Sequence, residues 1–318
     1  MAIKTADKNS KFGRIGVLMG GPSEERPISL RSANAVCESL KALKLDVVGI
    51  DIATDDAQAN TALIRSQGID CAFIALHGRF GEDGGIQQVL QDLNIPYTGS
   101  GVEASKRAMD KVVSQSVFRD AGLAVPDYLS VDRQLFDKGD DIPVHFDLPW
   151  VIKPSRQGSS IGLSIIDDPQ QLRKALSLAF ETDDTALVQQ YIQGRELTVG
   201  ILSDQPLPIV EIVTTRKFFD YEAKYENGFT EYIVPAQLDK AIAVSVQETA
   251  LAAYRSLGCS GCSRVDIILS DKNVPYVLEL NNIPGLTQTS LLPKAARCAG
   301  IDFSQLCLRM LSCAYAKK

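Results

Sequence analysis

Short, unbroken apolar runs that each end in a glycine turn or a charge, with helix-forming sequence between them, constrain this chain more than any other feature. Arg14-Ile15-Gly16-Val17-Leu18-Met19 leads into Gly20-Gly21-Pro22-Ser23 and a helical pattern over 29–43. A second run covers 46–51, and a third, 70–76, ends in His77-Gly78-Arg79-Phe80-Gly81-Glu82-Asp83-Gly84-Gly85 before a helix over 86–93. A strand with no polar face is buried on both sides, which is the condition of a parallel sheet covered by helices. The fold class is therefore α/β at the N-terminal end. In such sheets ligands gather beyond the carboxyl ends of the strands, where both glycine turns fall.

Beyond residue 110 the pattern changes. A helix over 111–121 stops at Gly122, and a strand over 148–154 ends at Lys153. The glycine and serine loop Ser155-Arg156-Gln157-Gly158-Ser159-Ser160-Ile161-Gly162 then returns into another strand. A helix over 169–180 and a strand over 186–192 follow, then strands over 196–202 and 207–213. An aromatic and charged stretch, 214–232, reads as an irregular loop ahead of a long helix over 239–257, two strands (264–269 and 275–281) and a terminal helix over 303–315. The expected division is a loose tail over 1–11, an N-terminal α/β lobe over 12–109, a central lobe over 110–192 and a C-terminal lobe over 193–318. These make a mixed α/β and α+β chain of three lobes sharing one cleft.

The chain's 318 residues suffice for two or three cores, and its net charge of −6 gives no basic stripe for nucleic acid or an acidic membrane. No apolar run approaches the roughly 18 residues of a membrane helix. The first residues carry lysines without an apolar core segment, so no secretory leader is read. Seven cysteines are an odd number at low density, which suits a reduced cytoplasm. Cys259-Ser260-Gly261-Cys262 has a spacing open to redox chemistry or half a zinc site. With no second such pair, and with His77 and His145 far off, small packed thiols are the simpler expectation.

The strands around Arg264-Val265-Asp266-Ile267 and Glu279-Leu280-Asn281 carry the most chemistry. Side chains alternate along a strand, so Arg264 and Asp266 share a face, as do Glu279 and Asn281. The connection between the runs is short enough for an antiparallel hairpin, with Val265, Ile267, Tyr276, Leu278 and Leu280 on the opposite, buried face. Two carboxylates, an amide and a guanidinium on one face suit Mg²⁺ shared with a nucleotide's phosphates. The plainer reading is a solvated strand face with a surface ion pair; against it, Asn281 runs into the rigid turn Asn282-Ile283-Pro284-Gly285. Lys153 and the 158–162 loop could cradle phosphates through backbone N–H groups, although GxxxxGK[ST] is absent and such a loop alone is often only a turn. Lys111, at a helix start, would supply a second charge, or would simply be solvated. Glu24 and Glu25 at the first helix start point to a cationic ligand such as an amine, or merely complement the helix dipole.

Taken in order, these pieces resemble the D-alanine–D-alanine ligases of the ATP-grasp superfamily over about residues 13–314. Further markers are Tyr97-Thr98-Gly99-Ser100-Gly101, Met109-Asp110-Lys111, Asp220-Tyr221-Glu222-Ala223-Lys224-Tyr225, and Pro284-Gly285-Leu286-Thr287 with Ser290-Leu291. The resemblance implies ATP between the second and third lobes, with Lys111, Lys153, Ser160 and Lys224 toward its phosphates. Gln189, Gln190 and Ile192 would lie at the adenine, and Glu196 at the ribose. Asp266, Glu279 and Asn281 would hold two Mg²⁺ ions, with Mn²⁺ an acceptable substitute. The carboxylate of one D-alanine would attack the γ-phosphorus, and the amine of a second would attack the resulting acylphosphate. Arg264 and the Gly285 N–H would stabilise the oxyanion. Glu25 would meet the first substrate's ammonium in a trio with Ser159 and Tyr225, His77 would stand beside it, and Ser290 would bind the second carboxylate. The stretch 214–232 would close over the site.

The implied setting is cytoplasmic synthesis of cell-wall precursor, with a homodimer through the first lobe and no nucleic-acid or membrane partner. Relatives that make a D-alanine–D-lactate ester carry phenylalanine where Tyr225 stands, so tyrosine favours the dipeptide. Gln189 and Gln190 replace a usual Glu-Lys pair, Asn282 a usual threonine, and Thr289 an occasional histidine. The alternatives are a ligase with another acceptor (D-serine or D-lactate) and a nucleotide-binding relative without catalysis. The retained Lys153, Arg264, Asp266, Glu279 and Asn281 weigh against the second. A dinucleotide oxidoreductase is disfavoured by the lack of G-x-G-x-x-G after the first strand.

Overall fold

A computed structural model describes residues 11–214 and 230–315. The first sheet is parallel, in the order β2-β1-β3, from β1 (Ile15–Gly20), β2 (Val47–Ile52) and β3 (Cys71–Ile74). All four β3 residues are buried, as an unbroken apolar run requires. The helix Arg26–Ala42 begins three residues earlier than its pattern suggests, which leaves Glu25 at the N-cap position.

The second sheet is antiparallel, in the order β4-β7-β5-β6, from β4 (Tyr128–Asp132), β5 (Trp150–Pro154), β6 (Ser164–Ile166) and β7 (Thr185–Gln190). Its back carries Trp150, Ile152, Ile166, Ala186 and Val188 against the helix Leu172–Ala179. That helix is shorter than the expected 169–180 because Pro169–Gln171 forms a 3-10 turn ahead of it.

The third sheet runs β11-β10-β8-β12-β13, with β9 (Gln205–Pro206) beside β8. Its strands are β8 (Gly194–Leu202), β10 (Val210–Thr214), β11 (Thr230–Ile233), β12 (Cys262–Ser270) and β13 (Pro275–Asn281). The stretch expected to be irregular over 214–232 thus begins and ends in paired strand, with Thr214 opposite Thr230. Leu197, Val199, Ile201, Val265, Ile267 and Leu269 bury themselves against the helix Lys240–Ser256. Phe118, from the helix Lys111–Asp120, joins this core, so that helix packs with the third sheet rather than the second. The final helix, Phe303–Ala314, folds back onto Arg26–Ala42, and its Leu306, Cys307 and Met310 share a core with β1 and β3.

The hairpin departs from simple alternation at one point. Arg264 pairs with Asn281 and Asp266 with Glu279, but Ile267 pairs with Val277. Leu278 is the extra residue of a β-bulge. Val277, not Leu278 or Tyr276, therefore reaches the core, and Leu278 turns to the other side and lines the cleft. The expected placement of Tyr276 and Leu278 on the buried face fails for this reason.

Candidate active site

The second and third sheets face each other across a cleft of about 430 Å³. Its walls take Lys111, Lys153, Ser159, Ser160, Gln189, Ile192, Glu196, Asp266 and Glu279, all singled out from the sequence. Gln190 is not among them. Strand alternation turns Gln189 to the cleft and Gln190 away, leaving Gln190's main chain paired with Asp127 O.

One end of the cleft is polar. Lys111 and Lys153 are both largely buried there. Lys111 Nζ donates to Gln157 O at 2.8 Å and stands 3.6 Å from Glu279 Oε2. The loop after β5 holds Ser159 and Ser160 with φ of 54° and 59°, a left-handed conformation that serine seldom adopts. Strain of this kind persists where the surroundings enforce it, typically at functional sites. The surroundings here are specific: Ser155 Oγ donates to Asp110 Oδ1 at 2.7 Å, and Arg156 N donates to Asp183 Oδ2 at 2.6 Å. Asp110 also caps the helix of Lys111 by accepting from Val112 N.

Asp266 accepts four side-chain hydrogen bonds from three residues. Arg264 donates to it through Nε (2.9 Å) and Nη2 (2.7 Å), Thr198 Oγ1 at 2.6 Å and Asn281 Nδ2 at 3.0 Å. Asp266, Glu279 and Asn281 are thus gathered on one side of the hairpin. Among the described residues no three His, Cys, Asp or Glu side chains gather as a metal site. Two carboxylates and an amide oxygen are nevertheless the hard donor set that suits Mg²⁺ held jointly with phosphate oxygens.

Beside this polar end, the carboxyl edge of the first sheet meets the loop. Ser159 Oγ donates to Glu25 Oε1, and a Cβ on Gly158 would come within 3.2 Å of the Glu25 carboxylate. Glycine is therefore what lets the loop close on Glu25. His77 is buried, with Nε2 3.0 Å from Ser32 Oγ and Nδ1 facing Ile283 O (3.1 Å) and Glu82 Oε1 (3.4 Å). Burial holds the Glu82 carboxyl above the usual carboxylate range, opposed by its bond to His77. Asn282 Nδ2 donates to Glu82 O, which ties the 282–285 turn to the first sheet. A Cβ on Gly285 would sit 3.0 Å from Ser290 Oγ, and that hydroxyl also receives Thr287 N at 3.1 Å. Gly285 and Ser290 therefore stand together, apart from the cleft walls. Tyr225 and Lys224 lie outside the described residues.

Sequence reasoning overlooked Thr198, Ser32 and Gln115, and gave no role to Asp110, Ser155 and Glu82 within the motifs that contain them. Thr198 had a usable signal, two positions along the same strand face as Glu196. Gln115 had another, one helical turn from Lys111. Cys259 and Cys262 are both buried free thiols, and burial pushes Cys259 up to about 11. Ser260 Oγ donates to Gly99 O, pinning that turn to the first lobe.

A nucleotide-sized cleft between two antiparallel sheets, with lysines and acids together at its polar end, beside a parallel-sheet lobe, is the architecture of the ATP-grasp class. Family models match on both sides: "D-ala D-ala ligase N-terminus" over residues 54–100 and "D-ala D-ala ligase C-terminus" over 117–312. A D-alanine–D-alanine ligase of Syntrophotalea carbinolica is 45% identical over 96% of this chain and 97% of its own. The crystal structure of a D-alanine–D-alanine ligase from Bacillus anthracis complexed with ATP superposes with a TM-score of 0.81 at 34% identity, covering 95% of this chain and 97% of that one. The VanG D-Ala:D-Ser ligase from Enterococcus faecalis matches with a TM-score of 0.80 at 28% identity, covering 96% and 100%. The chain belongs to the D-alanine–D-alanine ligase family.

Proposed function

We propose that this chain joins two D-alanine molecules into D-alanyl-D-alanine, converting ATP to ADP and phosphate through an acylphosphate. The observation that carries this reading is the cleft itself: Lys111 and Lys153 at one end, with Asp266, Glu279 and Asn281 gathered across from them. Two cations facing a cluster of acids can hold a polyphosphate only if something positive also stands at the acids. Asp266, Glu279 and Asn281 would hold Mg²⁺ there, and the ion would supply the charge that neutralises the phosphate oxygens.

The chain's own groups do the rest. The loop over 157–162 covers the phosphates with backbone N–H groups, and Ser159 links it to Glu25. Glu25 then meets the ammonium of the first D-alanine, leaving that substrate's carboxylate toward the γ-phosphorus. Bringing those two atoms together is most of the catalysis in phosphoryl transfer. His77, fixed by Ser32 and Ile283 O, shapes the wall of the same substrate site. Arg264 and the Gly285 N–H face the oxyanion that forms when the second amine attacks, and Ser290 holds that substrate's carboxylate. Tyr225 and Lys224 complete the site in this reading, and exclusion of water keeps the acylphosphate from hydrolysis. The setting is the cytoplasmic supply of cell-wall precursor, with the enzyme a homodimer through its first lobe.

The fold also accommodates a D-serine acceptor, as the VanG match illustrates. ADP release measured with D-alanine alone, then with D-serine or D-lactate added, tests the assignment. D-alanine alone should sustain turnover, and Glu279→Gln should lower it by about 10³-fold without unfolding the protein. Turnover that needs D-serine or D-lactate would refute the acceptor, and an unchanged Glu279→Gln rate would remove that residue from the metal set.

A further inference from the structure

One glutamine of the cleft wall, Gln189, has its amide orientation linked to that of a second glutamine buried behind it. Gln115, wholly buried on the helix Lys111–Asp120, sits against the bulge in β13. Its Nε2 donates to Val277 O at 3.2 Å and to Leu278 O at 2.8 Å. The bulge explains why two successive carbonyls are available on one side of an edge strand. Carbonyl oxygens only accept, so the end of Gln115 that meets them must be its NH₂. Its Oε1 therefore faces away from β13, toward Gln189, whose Nε2 lies 3.3 Å off. An oxygen at that distance requires an N–H, so the Gln189 amide is oriented in turn. Its NH₂ is turned to Gln115, and its carbonyl oxygen is left for the cleft that Gln189 lines.

The position of Gln189 along the cleft gives that oxygen a meaning. Val151, its partner on β5, and Ile165, Ile268 and Leu278 make this stretch apolar, while Lys153, Ser160 and Glu279 make the remainder polar. A flat base suits the first part and phosphates the second. A carbonyl oxygen at the base end accepts from an exocyclic amine and repels an exocyclic oxygen.

We propose that Gln115 is a specificity-determining positioning residue: it fixes the amide of Gln189 so that the cleft takes a 6-amino purine and rejects a 6-oxo purine. A carboxylate at position 189 would accept whichever way it turned; a glutamine must be held. The inference rests on the nucleotide reading of the cleft given above.

The test compares kcat/KM for ATP and for inosine triphosphate, whose base differs at the 6-position, in the wild type, Gln115→Met, Gln189→Met and the double variant. The ATP preference should fall about tenfold in Gln115→Met and in Gln189→Met, with no further fall in the double variant, since both changes remove one interaction. Saturated turnover with ATP should change far less than KM. An undiminished preference in Gln115→Met, or equal further loss when it is added to Gln189→Met, would overturn the proposal. Should Gln115→Met fail to fold, the wild type still decides with purine riboside triphosphate, which has hydrogen at the 6-position. The order ATP, then the purine, then inosine triphosphate is expected, and inosine triphosphate outranking the purine would refute the orientation. A wild type that turns over no nucleoside triphosphate would instead refute the nucleotide reading.

Discussion

Replacing Asp266 by asparagine should destabilise the metal-free protein as well as inactivate it, and the size of the effect follows from its partners. The carboxylate accepts both arms of the Arg264 fork, plus Thr198 and Asn281, with side-chain exposures of 15% for Asp266 and 19% for Arg264. A fully exposed pair would contribute under about 1 kcal/mol. Breaking a fully buried one costs about 3–5 kcal/mol, because the surviving charge is left without compensation. At this burial Asp266→Asn should cost about 2–3 kcal/mol. Most of that cost is the stranded guanidinium, so Arg264→Met added to Asp266→Asn should recover all but about 1 kcal/mol. Urea unfolding of protein stripped with EDTA reads both values. Equal destabilisation of the single and double variants would show that the fork is not what Asp266 holds without metal. Stability of Asp266→Asn equal to wild type would show that the site stores no uncompensated charge.

Two further predictions come from groups whose protonation the fold alters. Burial holds Glu82 above its ordinary carboxylate pKa, so its contribution is full at acid pH, below the unfolded value, and is lost as pH rises through the folded one. Glu82→Gln should therefore gain stability relative to wild type as pH is raised from about 4 to 8; a constant difference across that range would contradict the assignment. Burial also keeps Cys259 and Cys307 protonated at neutral pH, at about 11 and about 12, whereas Cys298 is exposed. Iodoacetamide followed by peptide mapping should mark Cys298 first and spare both buried thiols, and early labelling of Cys259 would reopen redox chemistry at the CxxC pair.

The parts legible in the sequence were those with a strict period. Continuous apolar runs mark β1 and β3, and alternation alone places Arg264 with Asp266 and Glu279 with Asn281. The bulge was hidden because Tyr276, Val277 and Leu278 are all apolar, so a shift by one residue leaves the pattern looking the same. The helix Ala57–Gln67 was missed because it buries only Asn60 and Ile64, too little to show an apolar stripe. The helix Val102–Met109 hides for a different reason: it buries five of its eight residues, but Ala104, Ser105 and Ala108 are too small to read as an apolar stripe. Contacts between distant segments, such as Gln115 with Gln189 or His77 with Ile283 O, are fixed by the packing of separate elements and leave no local trace.

The most direct test of the account follows the oxygen atoms. If the first D-alanine's carboxylate attacks the γ-phosphorus, one of its oxygens must leave with phosphate when the second amine displaces it. With D-alanine labelled with oxygen-18 in the carboxyl group, each dipeptide formed should deliver one labelled oxygen to inorganic phosphate, read by mass spectrometry. Dipeptide formation with unlabelled phosphate would show that the γ-phosphoryl group never reached the carboxylate, and would contradict the chemistry assigned to this cleft.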